Sequence, residues 1–100
     1  MTKFLILWEK DVTRIPENPE EQIRQDTMLI NMVKEDLKDG KTLEWGMYAG
    51  GELAGYAICE GTEMEITMEN MKYVPYIKMK VYSILSSSQV VEIIKAASQA

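Results

Sequence analysis

Few residues in this chain are able to do chemistry, and their types limit what that chemistry can be. Histidine is absent, which removes the commonest general base at neutral pH and the usual haem ligand. Glu9 and Glu44 are the candidate general bases for moving a proton next to a carbonyl, with Lys78 and Lys80 placed to tune them and to bind a substrate carboxylate. The plainer reading of the same four residues is a structural ion pair. Tyr48 and Tyr82 are candidates for orienting a substrate oxygen, or interface tyrosines with a wet hydroxyl. Cys59, the one cysteine, has no histidine to activate it and reads first as a small buried hydrophobe. Met64, Met68 and Met71 fall at helix-stripe spacing and suit a core, and no Cys/His set supports a metal. The stretch GGELAG leads into a strand rather than a helix, so it is not a dinucleotide fingerprint and no cofactor is implied. Asp26 lies on the first helix, where a solvated face is its simplest setting.

These residues need elements to hold them. TKFLILWE, residues 2–9, reads as a strand apolar on both faces. Asn18 as N-cap, Pro19 at the first helical position and Glu21 three residues after the cap start a helix that Gly40 stops. Ile23, Ile30, Val33 and Leu37, with Leu29 at the margin, form its expected buried stripe. Residues 43–49 and 53–60 form a hairpin. Thr62 and Glu65 open a shorter helix closed by Pro75, residues 77–85 alternate as a half-buried strand, and Ser86 to Ser88 introduce a last helix. The order β-α-β-β-α-β plus a C-terminal helix predicts one α+β domain over residues 1–100, of the ferredoxin-like kind. Both helices then cover one face of a four-stranded antiparallel sheet. The other face stays open and calls for a second copy of the chain.

The hairpin EWGMYAGGELAGYAICEG is crowded with small residues. With Gly50 and Gly51 as the loop, Gly46 faces Gly55, Trp45 faces Tyr56 and Leu43 faces Ile58. That register puts Tyr56 and Ile58 on the helix side. It leaves Glu9, Glu44, Tyr48, Gly55, Ala57, Lys78, Lys80 and Tyr82 on the open face, where the small residues would leave room for a ligand in a lumen between paired sheets.

Composition sets the broad class. The chain has 100 residues, 46% of them hydrophobic and 27% charged, with a net charge of −5. That describes one ordinary globular domain and disfavours a nucleic-acid partner, since phosphate binding rests on lysine and arginine clusters. The apolar run Phe4 to Trp8 is too short for a signal peptide or a membrane span, and a lone cysteine fits a reducing compartment, so the expected location is cytoplasmic.

Three motifs carry a family resemblance: DLKDG at the end of the first helix, WGMYAGG followed by GYAICEG in the hairpin, and VPYIKMKVYSIL with its Pro75-Tyr76 entry to the last strand. From about Leu29 to Leu85 the chain resembles the muconolactone isomerase-like branch of the dimeric α+β barrels. The resemblance implies a homodimer whose open sheets face one another. As an activity it implies a cofactor-independent isomerase or oxygenase acting on a small, apolar organic acid in the lumen. The alternative is a non-catalytic ligand-binding or structural homodimer. The isomerase pattern has an arginine beside the hairpin tryptophan and an asparagine in the third strand, where this chain has Gly46 or Met47, and Gly55.

Overall fold

The computed structural model describes residues 2–99. Strand β1 (Thr2–Lys10) leads through a short 3-10 turn into helix α1 (Pro19–Lys38), followed by β2 (Thr42–Met47), β3 (Ala54–Gly61), helix α2 (Glu63–Asn70), β4 (Ile77–Ile84) and helix α3 (Ser87–Ser98). The strands form one antiparallel sheet in the order β2-β3-β1-β4, an α+β arrangement compatible with a ferredoxin-like fold. Local chemistry writes the helix starts. The Asn18 side chain accepts from the backbone N–H groups of Glu20 and Glu21, and Thr62 with Glu65 and Ser86 with Gln89 both close capping boxes.

The sheet register differs from the one the Gly-Gly turn predicts. Tyr48 N donates to Ala54 O at 2.9 Å, so the loop spans residues 49–53, with Gly51 at φ 85°. Met47 therefore pairs with Gly55, Gly46 with Tyr56, Trp45 with Ala57 and Glu44 with Ile58, and a bulge falls between Thr42 and Glu44. A one-residue slip exchanges the two faces of a strand. Gly55, Ala57 and Cys59 thus lie on the helix side, while Tyr56 and Ile58 lie on the open side, the reverse of the expected assignment for β3. The physical reason is that large side chains lie across small partners. A Cβ on Gly55 would stand 2.7 Å from Trp8 Cζ2, and one on Gly46 would stand 2.6 Å from Tyr56 Cε1.

The core lies between the sheet and α1 and α2. Phe4, Ile6, Ala57, Cys59 and Ile66 form one buried cluster, and Leu29, Val33 and Tyr73 a second, with Trp45 and Met79 packed against both. The buried stripe of α1 is Leu29, Val33 and Asp36, whereas Ile23, Ile30 and Leu37 are exposed. The methionine stripe expected for the second helix is corrected too: Met64 and Met68 on α2 and Met71 just after it face solvent, and Ile66 is the α2 residue that packs inward. Every residue of α3 is exposed, and the molecule measures 62 × 28 × 20 Å.

Candidate functional site

Of the residues singled out in the sequence, Glu9, Glu44, Lys78, Lys80 and Tyr82 share the open face of the sheet. Glu9 is the cross-strand partner of Lys78, Leu7 of Lys80 and Leu5 of Tyr82. Among the described residues Glu9 and Lys78 form no ion pair, and Glu44 is engaged otherwise. It accepts the Tyr56 hydroxyl at 2.7 Å, which pushes the Tyr56 phenol above its ordinary value because the bonded proton is harder to remove. Tyr48 follows β2 at the start of the hairpin loop and is exposed. Gly55 and Ala57 are separated from all of these by the sheet itself. The small residues therefore serve the opposite side.

On that opposite side lies a cavity of about 280 Å³ between α1, α2 and the sheet, near the lower end of the size common for ligand pockets. Ile6, Ala57 and Met79 line it from the sheet, and Leu29, Val33 and Ile66 from the helices. Trp8 and Trp45 also line it, stacked with ring centroids 5.3 Å apart, and Trp8 Nε1 donates to Tyr56 O at 3.3 Å, which fixes one indole. Gly55 and Ala57 leave the space over β3 that the two rings fill. An apolar trough with a flat aromatic wall suits a flat, mainly apolar molecule.

Polar groups gather at two places on the cavity wall. Asp36, 4% exposed, accepts from the Tyr73 hydroxyl at 2.7 Å and from Lys72 Nζ at 2.6 Å; Lys72 also pairs with Glu69 Oε2 at 2.7 Å, and Lys41 Nζ lies 3.4 Å from Glu69 Oε1. A carboxylate this deep persists only when its lone pairs are met by donors. Burial pushes the Tyr73 phenol far up, and donation to Asp36 adds to it. Burial opposes the charge of Lys72, yet its bonds to Asp36 and Glu69 outweigh that and raise its pKa, while the bond from Lys72 lowers that of Glu69. The second polar place is Lys10, paired with Asp26. Cys59 also lines the cavity; burial raises its thiol pKa against a weak opposing bond to Thr42 Oγ1 at 3.8 Å, so it is a neutral thiol at pH 7.

Sequence reasoning passed over Asp36, Tyr73 and the indole pair. A signal for Asp36 was present, since Leu29, Val33 and Asp36 follow the i, i+4, i+7 spacing of a single helix face, and an acid on an apolar stripe marks a buried, partnered charge. Among the described residues no group of three Cys, Asp or Glu side chains converges on a metal position, and no helix is long and apolar enough to cross a membrane. No protein-family model matches the chain, and no curated protein matches it.

Proposed function

We propose that the chain is a small-molecule-binding homodimer, holding a flat, mainly apolar molecule in the cleft between its helices and its sheet. One observation carries this reading: an apolar cavity of about 280 Å³ is walled by a stacked pair of indoles and bounded by ion-paired side chains at its polar ends. Close-packed cores rarely leave such a space, and a bound aromatic molecule would complete the packing. The helix-side cleft takes the place of the lumen, because Tyr56 and Ile58 fill the open face where Gly55 and Ala57 were expected.

Binding is preferred to turnover. A cofactor-independent isomerase or oxygenase needs a base free to take a proton; in the cleft Asp36 already accepts from two donors, Glu69 is paired with Lys72 and Lys41 and Asp26 with Lys10, while Glu9 and Glu44 stand across the sheet. The fold alone supports neither choice.

The uncovered surfaces are what supports the homodimer. Leu5, Leu7, Tyr56, Ile58, Tyr82 and Ile84 form an apolar band on the face that no helix covers, and Val90, Ile93 and Ile94 of α3 are exposed as well. Two open sheets packed together would give a dimeric α+β barrel of the muconolactone isomerase-like kind, and the free thiol of Cys59 suits a cytoplasmic setting.

Both tryptophans of the chain lie in the cleft, so intrinsic fluorescence reports on it directly. Titration with a neutral flat probe, 2-naphthamide, is expected to give saturable quenching that Trp45→Leu removes without unfolding the protein. An unsaturable, linear response in the native protein would overturn the cleft reading.

A further inference from the structure

The cations that line the cleft are not equivalent. Lys41 is half-exposed and answers Glu69, and the neighbouring Lys72 is shared between Asp36 and Glu69. Lys10 differs. It ends β1 on the helix side, two residues beyond Trp8, and its backbone N–H is tied to Leu53 O at 2.8 Å. Its side chain is only 10% exposed, and among the described residues its one ionic partner is Asp26, whose side chain is 59% exposed.

That asymmetry has a physical consequence. A lysine ammonium carries three donors, and withdrawing it from water without a counter-charge is costly. Asp26, by contrast, is already mostly hydrated and gives up little by turning into solvent. The pair is therefore exchangeable from one side only: Lys10 must keep an anion, and Asp26 need not be the one that supplies it. At the other polar place an incoming anion would meet Asp36 and Glu69, both acidic, so the cleft has a direction for charge.

Resting on the cleft reading above, we infer that the natural ligand is an aryl carboxylate whose carboxylate displaces Asp26 from Lys10 while its ring lies against the Trp8–Trp45 wall. Lys10 is then the specificity-determining residue, and Asp26 is an internal stand-in that keeps the ammonium paired when the cleft is empty. The strand sets the ligand's length. Trp8 and Lys10 stand two apart on one face of the strand, about 6.5–7 Å between their Cα atoms, so ring and carboxylate are joined directly or through a short link.

Calorimetric titration of the full chain with 2-naphthoate and its neutral isostere 2-naphthamide tests this. The native protein is expected to bind the acid about tenfold or more tightly than the amide at low salt, because the charge-assisted bond to Lys10 is open to the acid alone. Lys10→Met should bring the two affinities together. Asp26→Asn, which removes the internal competitor at an exposed position, should strengthen naphthoate binding several-fold and leave the amide unchanged. Equal binding of acid and amide by the native protein would leave the cleft reading standing and overturn the Lys10 assignment, as would weaker naphthoate binding in Asp26→Asn. Failure of both probes to bind would remove the cleft reading and this inference with it.

Discussion

Trp8 on β1 and Trp45 on β2 stack across the strand that separates them, ring centroids 5.3 Å apart and planes within 7° of parallel. Two indoles can meet over β3 only if that strand presents almost nothing beneath them. Gly55 meets this condition and Ala57 nearly does. A Cβ at Gly55 would stand 2.7 Å from Trp8 Cζ2 and 2.0 Å from the Gly46 carbonyl oxygen, a backbone atom that cannot swing aside. Gly55→Ala is therefore expected to cost about 1–3 kcal/mol, the usual penalty for overpacking, and to disturb the near-ultraviolet circular dichroism of the tryptophans. Denaturant unfolding measures the first and the spectrum the second; a variant as stable as the native protein with an unchanged spectrum would refute the tight stack.

Tyr73 gives Asp36 one of its two donors from a buried position. Tyr73→Phe should cost about 1–3 kcal/mol, because the carboxylate loses a donor that water cannot readily replace. The pH dependence has a definite sign. In the unfolded chain Tyr73 releases its proton near 10.0, whereas in the folded protein burial and Asp36 hold it on well above that value. Its contribution is therefore complete below about pH 10 and is lost as pH rises beyond it. Lys72, whose pKa is also raised above its unfolded 10.5, acts in the same direction. Urea unfolding compared at about pH 8 and about pH 11 should show the native protein losing more stability than Tyr73→Phe.

How far these features were legible in the sequence depends on how local their causes are. Asn18, Thr62 with Glu65, and the serines before α3 act within a single turn, and the helix starts follow from them directly. The succession of strands and helices is legible in the same way, because each element is bounded by local signals. The hairpin register is not, because alternation says which residues of β3 share a face but not which face that is; the answer lay in Trp8, a residue on another strand, needing Gly55 beneath it. The apolar stripe of α1 is rotated by roughly a fifth of a turn from its buried face, because Asp36, a charge, occupies a position in that face that an apolar residue would have marked. The cleft was invisible for a related reason. It is made by how α1 and α2 dock over the sheet, and nothing periodic in the chain records a space that docking leaves unfilled.

The methionines of α2 give a direct test of the corrected helix face. Met64 and Met68 are 73% and 64% exposed, while Ile66 between them is 5% exposed. Replacing both methionines with glutamine should change stability by no more than about 0.5 kcal/mol, as surface substitutions do. Ile66→Ala should cost about 2–5 kcal/mol through lost contacts and the space left behind. Thermal unfolding of the two variants distinguishes the faces, and the reverse ranking would restore the methionine core.

Helix α3 tests the assembly. It carries Val90, Ile93 and Ile94 on a helix with no buried residue, so within one copy these side chains stay largely in solvent. An isolated amphipathic helix of this length is marginal in water, and most helical stability comes from packing an apolar face. In the proposed dimer the second copy supplies that packing, so Ile93→Glu together with Ile94→Glu should shift the protein from dimer to monomer in light scattering at micromolar concentration. The fold of β1 to β4 should survive, since α3 contributes nothing to either buried cluster. A particle mass that is unchanged by the substitutions and independent of concentration would mean that α3 takes no part in pairing, and a native protein that is monomeric from the outset would remove the homodimer altogether.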